Sequence, residues 1–350
     1  MQGSMIAVAK RAAGSGAELV PVPIPAPGPC EVLVKVRATA ICGTDVHIFR
    51  WDKWAAGRIK PPLIFGHEFS GEVVETGPGV TKLNVGDYVS AESHIPCGSC
   101  YVCKNGQKHI CADLKILGVD TQGCFAEYAV IPEACAWRNE PSLPLHIAAI
   151  QEPLGNAVYT VMEANVPGKR TLIFGDGPAG LFATGVARAA GAGPIWLAGT
   201  FNFALAIGKT MGADRTFNVR SPGVDVVRSV LDDTHGTGAD VVIEMSGAPK
   251  AIAEGFSALR KGGTFVAFGI PSDRITLDLN NDVIFKGATI IGINGRLMFR
   301  TWLQMANLLN SGRLDPSPVV THQIGLREFQ KGFDLMTAPE RTCGKVVMIP

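Results

Sequence analysis

Thr171-Leu172-Ile173-Phe174-Gly175-Asp176-Gly177-Pro178-Ala179-Gly180 is an apolar run that breaks into a glycine-rich turn. Its first four residues have the length and character of a strand buried on both faces. Residues 178–190 then take helical spacing, with proline where a helix tolerates it best. A G-x-G-x-x-G between a strand and a helix permits a tight turn and close backbone approach to a pyrophosphate at the helix N-terminus. The pattern is weak alone, but strand before and helix after give it the right context. Gly175, Gly177, Pro178, Ala179 and Gly180 are therefore candidate dinucleotide contacts.

Outward from this stretch the alternation repeats. Ile195-Trp196-Leu197, Ala239-Asp240-Val241-Val242-Ile243-Glu244-Met245 and Gly263-Thr264-Phe265-Val266-Ala267-Phe268 read as strands, with 251–259 helical. Alternating strands and helices mean parallel crossovers, so 157–293 is expected to be a doubly wound parallel sheet. The first third differs. Glu31-Val32-Leu33-Val34-Lys35-Val36 alternates with period 2, and Val73-Val74-Glu75, Tyr88-Val89 and Phe125-Ala126-Glu127-Tyr128-Ala129-Val130 are further strand candidates. This suits a small antiparallel barrel with long loops. After Asn294 the pattern turns helical and closes on Lys345-Val346-Val347-Met348-Ile349, a strand expected to rejoin the first domain. The expected α/β chain thus has one domain of 1–156 with 294–350 and a second of 157–293.

The length of 350 residues exceeds what one core usually covers, in keeping with two domains. Lys+Arg number 32 and Asp+Glu 31, and no block of like charge stands out, so nucleic-acid and membrane-surface roles lack electrostatic support. No stretch reaches the ~18 apolar residues of a spanning helix, and a cytoplasmic location is expected. Nine cysteines, odd in number and locally clustered, fit a reducing compartment.

Four of those cysteines carry the strongest chemical signal. Cys97-x-x-Cys100-x-x-Cys103 followed by Cys111 can close a tetrahedral zinc shell, because CxxC turns bring sulfurs in pairs onto one ion. Four protein ligands leave no open position, so this ion is expected to be structural. A second set is scattered: Cys42, His67 with Glu68, and Glu152. A thiolate, an imidazole and one or two carboxylates suit an open zinc site with room for a substrate oxygen. By spacing alone, ordinary core or surface residues explain this set equally well.

Past the glycine turn, a ribose-binding acid is expected about 20 residues on, at the end of the second strand. Gly199 and Thr200 stand there instead. Neither binds a 2′-hydroxyl through a carboxylate nor repels a 2′-phosphate, and no Arg follows at once, so NAD and NADP both stay open.

With these residues in view, the chain resembles the zinc-dependent medium-chain alcohol dehydrogenases. Gly66-His67-Glu68-x-x-Gly71-x5-Gly77-x-x-Val80 matches their zinc signature, and Gly86-Asp87-Tyr88-Val89 resembles their G-D-x-V. Within the family it is most similar to the threonine 3-dehydrogenases. That likeness rests on Ala40-Ile41-Cys42-Gly43-Thr44-Asp45-Val46-His47-Ile48, Trp51-Asp52-x-Trp54, Glu152-Pro153-Leu154-Gly155-Asn156-Ala157 and Gly295-Arg296-x-Met298-Phe299-x-Thr301-Trp302.

The resemblance implies a GroES-like β-barrel catalytic domain joined to a Rossmann domain, two zinc ions per chain and a homotetramer or dimer. It implies a hydride passed from a small secondary alcohol, above all L-threonine, to NAD or NADP. It implies a catalytic zinc at Cys42, His67 and Glu68, with Glu152 a further or alternating ligand. Thr44 is then the hydroxyl relay, His47 the proton carrier to solvent, and His94 a histidine near the substrate. Arg296 is a candidate for a cofactor phosphate or a substrate carboxylate, against the plainer reading of a surface salt bridge. There are departures: similar enzymes carry an acid where Gly199 stands and an Arg where Ala204 stands. Asn294 and Leu297 replace a common aromatic and acidic residue. Two rivals remain: a polyol, cyclitol or other secondary-alcohol dehydrogenase, and a binding protein that kept the fold without the chemistry.

Overall fold

The strand Thr171–Phe174 is buried at every position and lies inside a six-stranded parallel sheet. The computed structural model describes residues 3–350. Its contacts fall into two units. One is Met1–Glu152 with Val320–Pro339 and Lys345–Pro350; the other is Pro153–Val319 with Glu340–Gly344. Residues 294–319, assigned from sequence to the first domain, lie in the second unit. There the helix Arg300–Asn310 buries Trp302 and Met305, and Arg296 Nη1 donates to Asn156 Oδ1 at 2.9 Å.

In the second unit the strands run in the order Arg215–Asn218, Ile195–Gly199, Thr171–Phe174, Ala239–Glu244, Leu259–Ala267 and Thr289–Gly292. This order reverses direction between Thr171–Phe174 and Ala239–Glu244, and ligands of such sheets sit beyond the carboxyl ends of the strands at that reversal. The first and last strands carried no clear pattern in the sequence. Arg215–Asn218 is polar at three of its four positions, and Thr289–Gly292 is a mostly exposed edge. Phe256 and Phe265 stack at 4.2 Å between ring centres, tying the helix Pro249–Ala258 to the sheet by ~1 kcal/mol beyond burial.

Asp240 fastens the start of its strand. Arg170 donates to it from Nε and from its backbone N–H, each at 2.9 Å, and Arg260 Nε lies 2.5 Å from the other oxygen. Arg170 first, then Arg260, hold the carboxyl well below the usual carboxylate range. A depressed folded pKa adds stability above the unfolded value and loses it as pH falls through the folded one. Asp240→Asn is expected to lower stability at neutral pH by ~1–2 kcal/mol, discounted for partial exposure. Urea titrations should show the deficit shrinking below about pH 4; a deficit independent of pH would mean the loss is one of shape, not charge.

Among the described strands of the first unit, pairing is antiparallel except between Val320–Gly325 and Lys345–Ile349. Its main sheet runs Ala136–Arg138, Tyr88–Ala91, Glu68–Thr76, Glu31–Ala40, Lys345–Ile349 and Val320–Gly325, with Tyr128–Pro132 also on Glu31–Ala40. The last strand begins at Tyr128, later than the sequence suggested. Phe125 and Ala126 instead bridge to a small sheet of Glu18–Pro23, Ser4–Lys10 and Leu63–Ile64, through Val8 N–H to Phe125 O at 2.8 Å. Gly71 is needed where strands close up, since a Cβ there would meet Lys35 O at 2.3 Å. Phe333 stacks on Phe49 at 4.4 Å and meets Phe65 and Phe125, so the helix Phe329–Thr337 packs against the helix Gly43–Arg50. No helix among the described residues is long and apolar enough to cross a membrane.

Candidate metal centres and dinucleotide turn

Strand register assembles the scattered ligand set. Ala40 pairs with Glu68, and Thr39 with Met348 and Phe69. Cys42 follows two residues past Ala40 as the N-cap of Gly43–Arg50, so the chain turns back over Glu68 and His67. One ligand atom from each of Cys42, His67 and Glu68 lies within 4.8 Å of the others. Glu152 is outside that group; Ser93 Oγ donates to its Oε1 at 2.6 Å. It still acts by charge, raising both His67 and Glu68.

The surroundings fit a cation. Asp45 Oδ2 accepts the Cys42 N–H at 2.8 Å, and Asp45 Oδ1 lies 3.6 Å from His67 Nδ1. A carboxylate behind one ring nitrogen leaves the other lone pair for a metal. Lys345 Nζ lies 2.5 Å from Glu68 Oε1 and donates to Ile41 O at 3.0 Å. Burial pushes Glu68 up to about 6 against the pull of Lys345. Burial also works against the charged form of His67, but Asp45 and then Cys42 outweigh it and hold the ring well above its usual value. A buried pocket of a thiol and three carboxyl groups facing one lysine and one histidine lacks positive charge. A zinc ion bound by Cys42, His67 and Glu68 would supply it.

The second centre is a loop closed by its own cysteines. The sulfurs of Cys97, Cys100, Cys103 and Cys111 all lie within 4.8 Å of one another. A Zn–S bond of ~2.3 Å implies sulfurs ~3.8 Å apart in a tetrahedron, and Cys100 and Cys111 are 3.8 Å apart. Backbone N–H groups aim at the sulfurs: Cys100 N–H at Cys97, and Cys97 N–H and Asp113 N–H at Cys111. The Ser99 N–H and then that of Cys100 draw Cys97 down to about 6, while burial pushes Cys103 up to about 12. Thiols so close cannot all ionise without a cation among them.

In the second unit the glycine turn has the backbone its sequence requires. Gly175 has φ of 111°, and a Cβ on Gly180 would meet Gly175 O at 1.8 Å. Gly177 caps the helix Pro178–Ala189, whose first N–H groups carry the partial positive charge a pyrophosphate seeks.

Models of the alcohol dehydrogenase GroES-like domain and of zinc-binding dehydrogenase match residues 28–141 and 178–311. Over 350 residues the chain is 49% identical to an L-threonine 3-dehydrogenase of Pyrococcus horikoshii, covering 100% of this chain and 99% of that one. The chain belongs to the zinc-binding alcohol dehydrogenases. An L-threonine 3-dehydrogenase of Bacillus subtilis is also 49% identical, with 99% of each chain covered. Among solved members of the family, an alcohol dehydrogenase from Thermotoga maritima superposes with a TM-score of 0.88 at 27% identity, covering 99% of this chain and 100% of that one. The 2R,3R-butanediol dehydrogenase of Bacillus subtilis does so at 0.88 and 26%, with 99% of each covered.

The remaining candidates of this dehydrogenase take distinct positions. Thr44 is half-buried on Gly43–Arg50, and His47, one turn on, is exposed with its Nδ1 on Asp52 Oδ2. His94 is buried, its N–H on Glu92 Oε1 at 3.0 Å. Arg296 is 1% exposed, which removes the surface salt-bridge reading, and Gly155 makes room for it: a Cβ there would lie 2.6 Å from Arg296 Cδ. Sequence reasoning passed over Asp45, Asp52, Lys345 and Asp176. The signal for Asp45 was present as the third helical residue after a cap, the place of a capping-box acid.

Proposed function

We propose that this dehydrogenase oxidises the C3 hydroxyl of L-threonine to 2-amino-3-oxobutyrate, delivering the hydride to NAD or NADP and the proton to solvent. What carries this reading is the identity of 49% to L-threonine 3-dehydrogenases, sustained along the whole chain. Zinc at Cys42, His67 and Glu68 would supply Lewis acidity toward a substrate hydroxyl, and the dinucleotide would accept the hydride.

The chain's own residues do the rest. Thr44 and His47 are three apart and so share one helix face. The Thr44 hydroxyl takes the substrate proton and hands it to His47, whose exposed ring gives it to water. Asp52 on Nδ1 fixes the ring so that Nε2 is the accepting nitrogen. Lys345 and Asp45 act through Glu68 and His67 by orienting them. Glu152 serves as a charge neighbour, and His94 lines the substrate side. In the second unit, Gly175 to Gly180 take the pyrophosphate, Gly199 and Thr200 border the adenosine ribose, and Arg296 offers its charge to a cofactor phosphate. The Cys97, Cys100, Cys103 and Cys111 loop holds the structural ion.

Steady-state rates on L-threonine and a panel of polyols and simple secondary alcohols, each with NAD and NADP, test the substrate. Threonine should give the highest kcat/KM. In the same assay Thr44→Ala should cut kcat by about 10²-fold with zinc content intact; a near wild-type rate would remove the relay. The polyol reading is favoured by Asn294 and Leu297 at positions flanking Gly295-Arg296, and a polyol leading the panel would establish it.

We also propose a homotetramer in the cytoplasm. The edge strand Thr289–Gly292 exposes Ile290, and Leu279, Ile284 and Phe285 in the same unit are exposed apolar groups suited to a second copy. Nine free cysteines suit a reducing compartment.

A further inference from the structure

The carboxylate missing from the end of the second strand is replaced in space by another. Gly199 ends Ile195–Gly199, the position of the ribose acid in sheets of this order. A Cβ on Gly199 would lie 2.4 Å from Asp176 Cβ and 2.7 Å from Asp176 Oδ2. The Asp176 side chain therefore fills the volume that any side chain at 199 would need, and the two exclude each other. Asp176 is anchored there: the N–H groups of Thr200 and Phe201 both donate to its Oδ2 at 2.7 Å. It is 8% exposed, and its Oδ1 has no partner among the described residues.

We propose that Asp176 is the residue that selects NAD over NADP. Its carboxylate, reaching from the glycine turn to the strand end, accepts the adenosine 2′-hydroxyl and repels a 2′-phosphate. The inference rests on the reading of that turn as the dinucleotide site. Two effects act together. A fixed, buried negative charge opposes a phosphate more strongly than a screened one. The Thr200 and Phe201 N–H groups, the natural donors for a phosphate beyond the strand, are already taken by Oδ2.

Arg220 is the opposing charge. Its guanidinium lies 4.5 Å from the Phe201 ring centre, exposed, with no ion pair among the described residues. Held this way in water, it is the weaker and more mobile of the two charges.

Dissociation constants of NADH and NADPH, measured by calorimetry on the zinc-loaded enzyme, test the assignment without turnover. Asp176→Asn keeps an oxygen for the Thr200 and Phe201 N–H groups and removes only the charge. The double variant Asp176→Ala with Gly199→Asp moves the carboxylate back to the strand. The wild type should bind NADH roughly 100-fold more tightly than NADPH, or ~3 kcal/mol. Asp176→Asn should narrow the ratio about tenfold or more, mainly by tightening NADPH, and the double variant should widen it again. Equal binding in the wild type, an unchanged ratio in Asp176→Asn, or an NADPH preference lost in Arg220→Ala would each overturn the role of Asp176. Failure to bind either dinucleotide would instead bring down the reading of the turn itself.

Discussion

Cys42→Ser should cut turnover by at least ~10³-fold, the rate equivalent of losing ~4 kcal/mol of charge stabilisation at the reacting oxygen. The cause is specific to the thiolate. Serine is a poor zinc ligand at neutral pH, and removing it leaves His67 and Glu68 as the only ligand atoms in the group. Metal analysis should show one of two zinc ions lost per chain. NADH affinity should hardly change, because the glycine turn belongs to the other unit. Near-normal turnover, or retention of both ions, would remove Cys42 from the centre.

Cys103→Ser should act in the opposite way, on stability more than on chemistry. Cys103 is buried, and its neighbours Cys97, Cys100 and Cys111 lie too close together to stay in place without an ion. Structural zinc contributes folding free energy directly. At ~2–4 °C per kcal/mol for a chain region of this size, the midpoint of unfolding should fall by roughly ten degrees or more. One zinc per chain should be lost, and the remaining one should be the one whose removal stops turnover. Unchanged zinc content and midpoint would show four ordinary thiols.

The two centres were not equally legible in the sequence. Cys97, Cys100, Cys103 and Cys111 lie within fifteen residues, so spacing alone states their geometry. Cys42, His67 and Glu68 meet only because Ala40 pairs with Glu68, and register over such a distance has no local signature. Family likeness supplied what spacing left undecided. The parallel sheet announced itself through runs such as Thr171–Phe174, buried on both faces, while Arg215–Asn218 and Thr289–Gly292 at its edges had no such pattern to show. In the sequence Asp176 is a spacer between two glycines; only its close approach to Gly199 shows that it fills the volume a side chain there would need.

The pairing of Lys345 with Glu68 joins residues 277 apart in the chain. Proteins are made from the N-terminus at ~5–20 residues per second. Cys42, His67 and Glu68 therefore emerge early and wait while the whole of the parallel sheet is synthesised. The strand Lys345–Ile349 then arrives, pairs with Thr39 and Ala40, and brings the one lysine that offsets their charge. Maturation of the metal pocket is thus tied to synthesis past Lys345, and a product truncated before that residue is left with a pocket that has not been balanced.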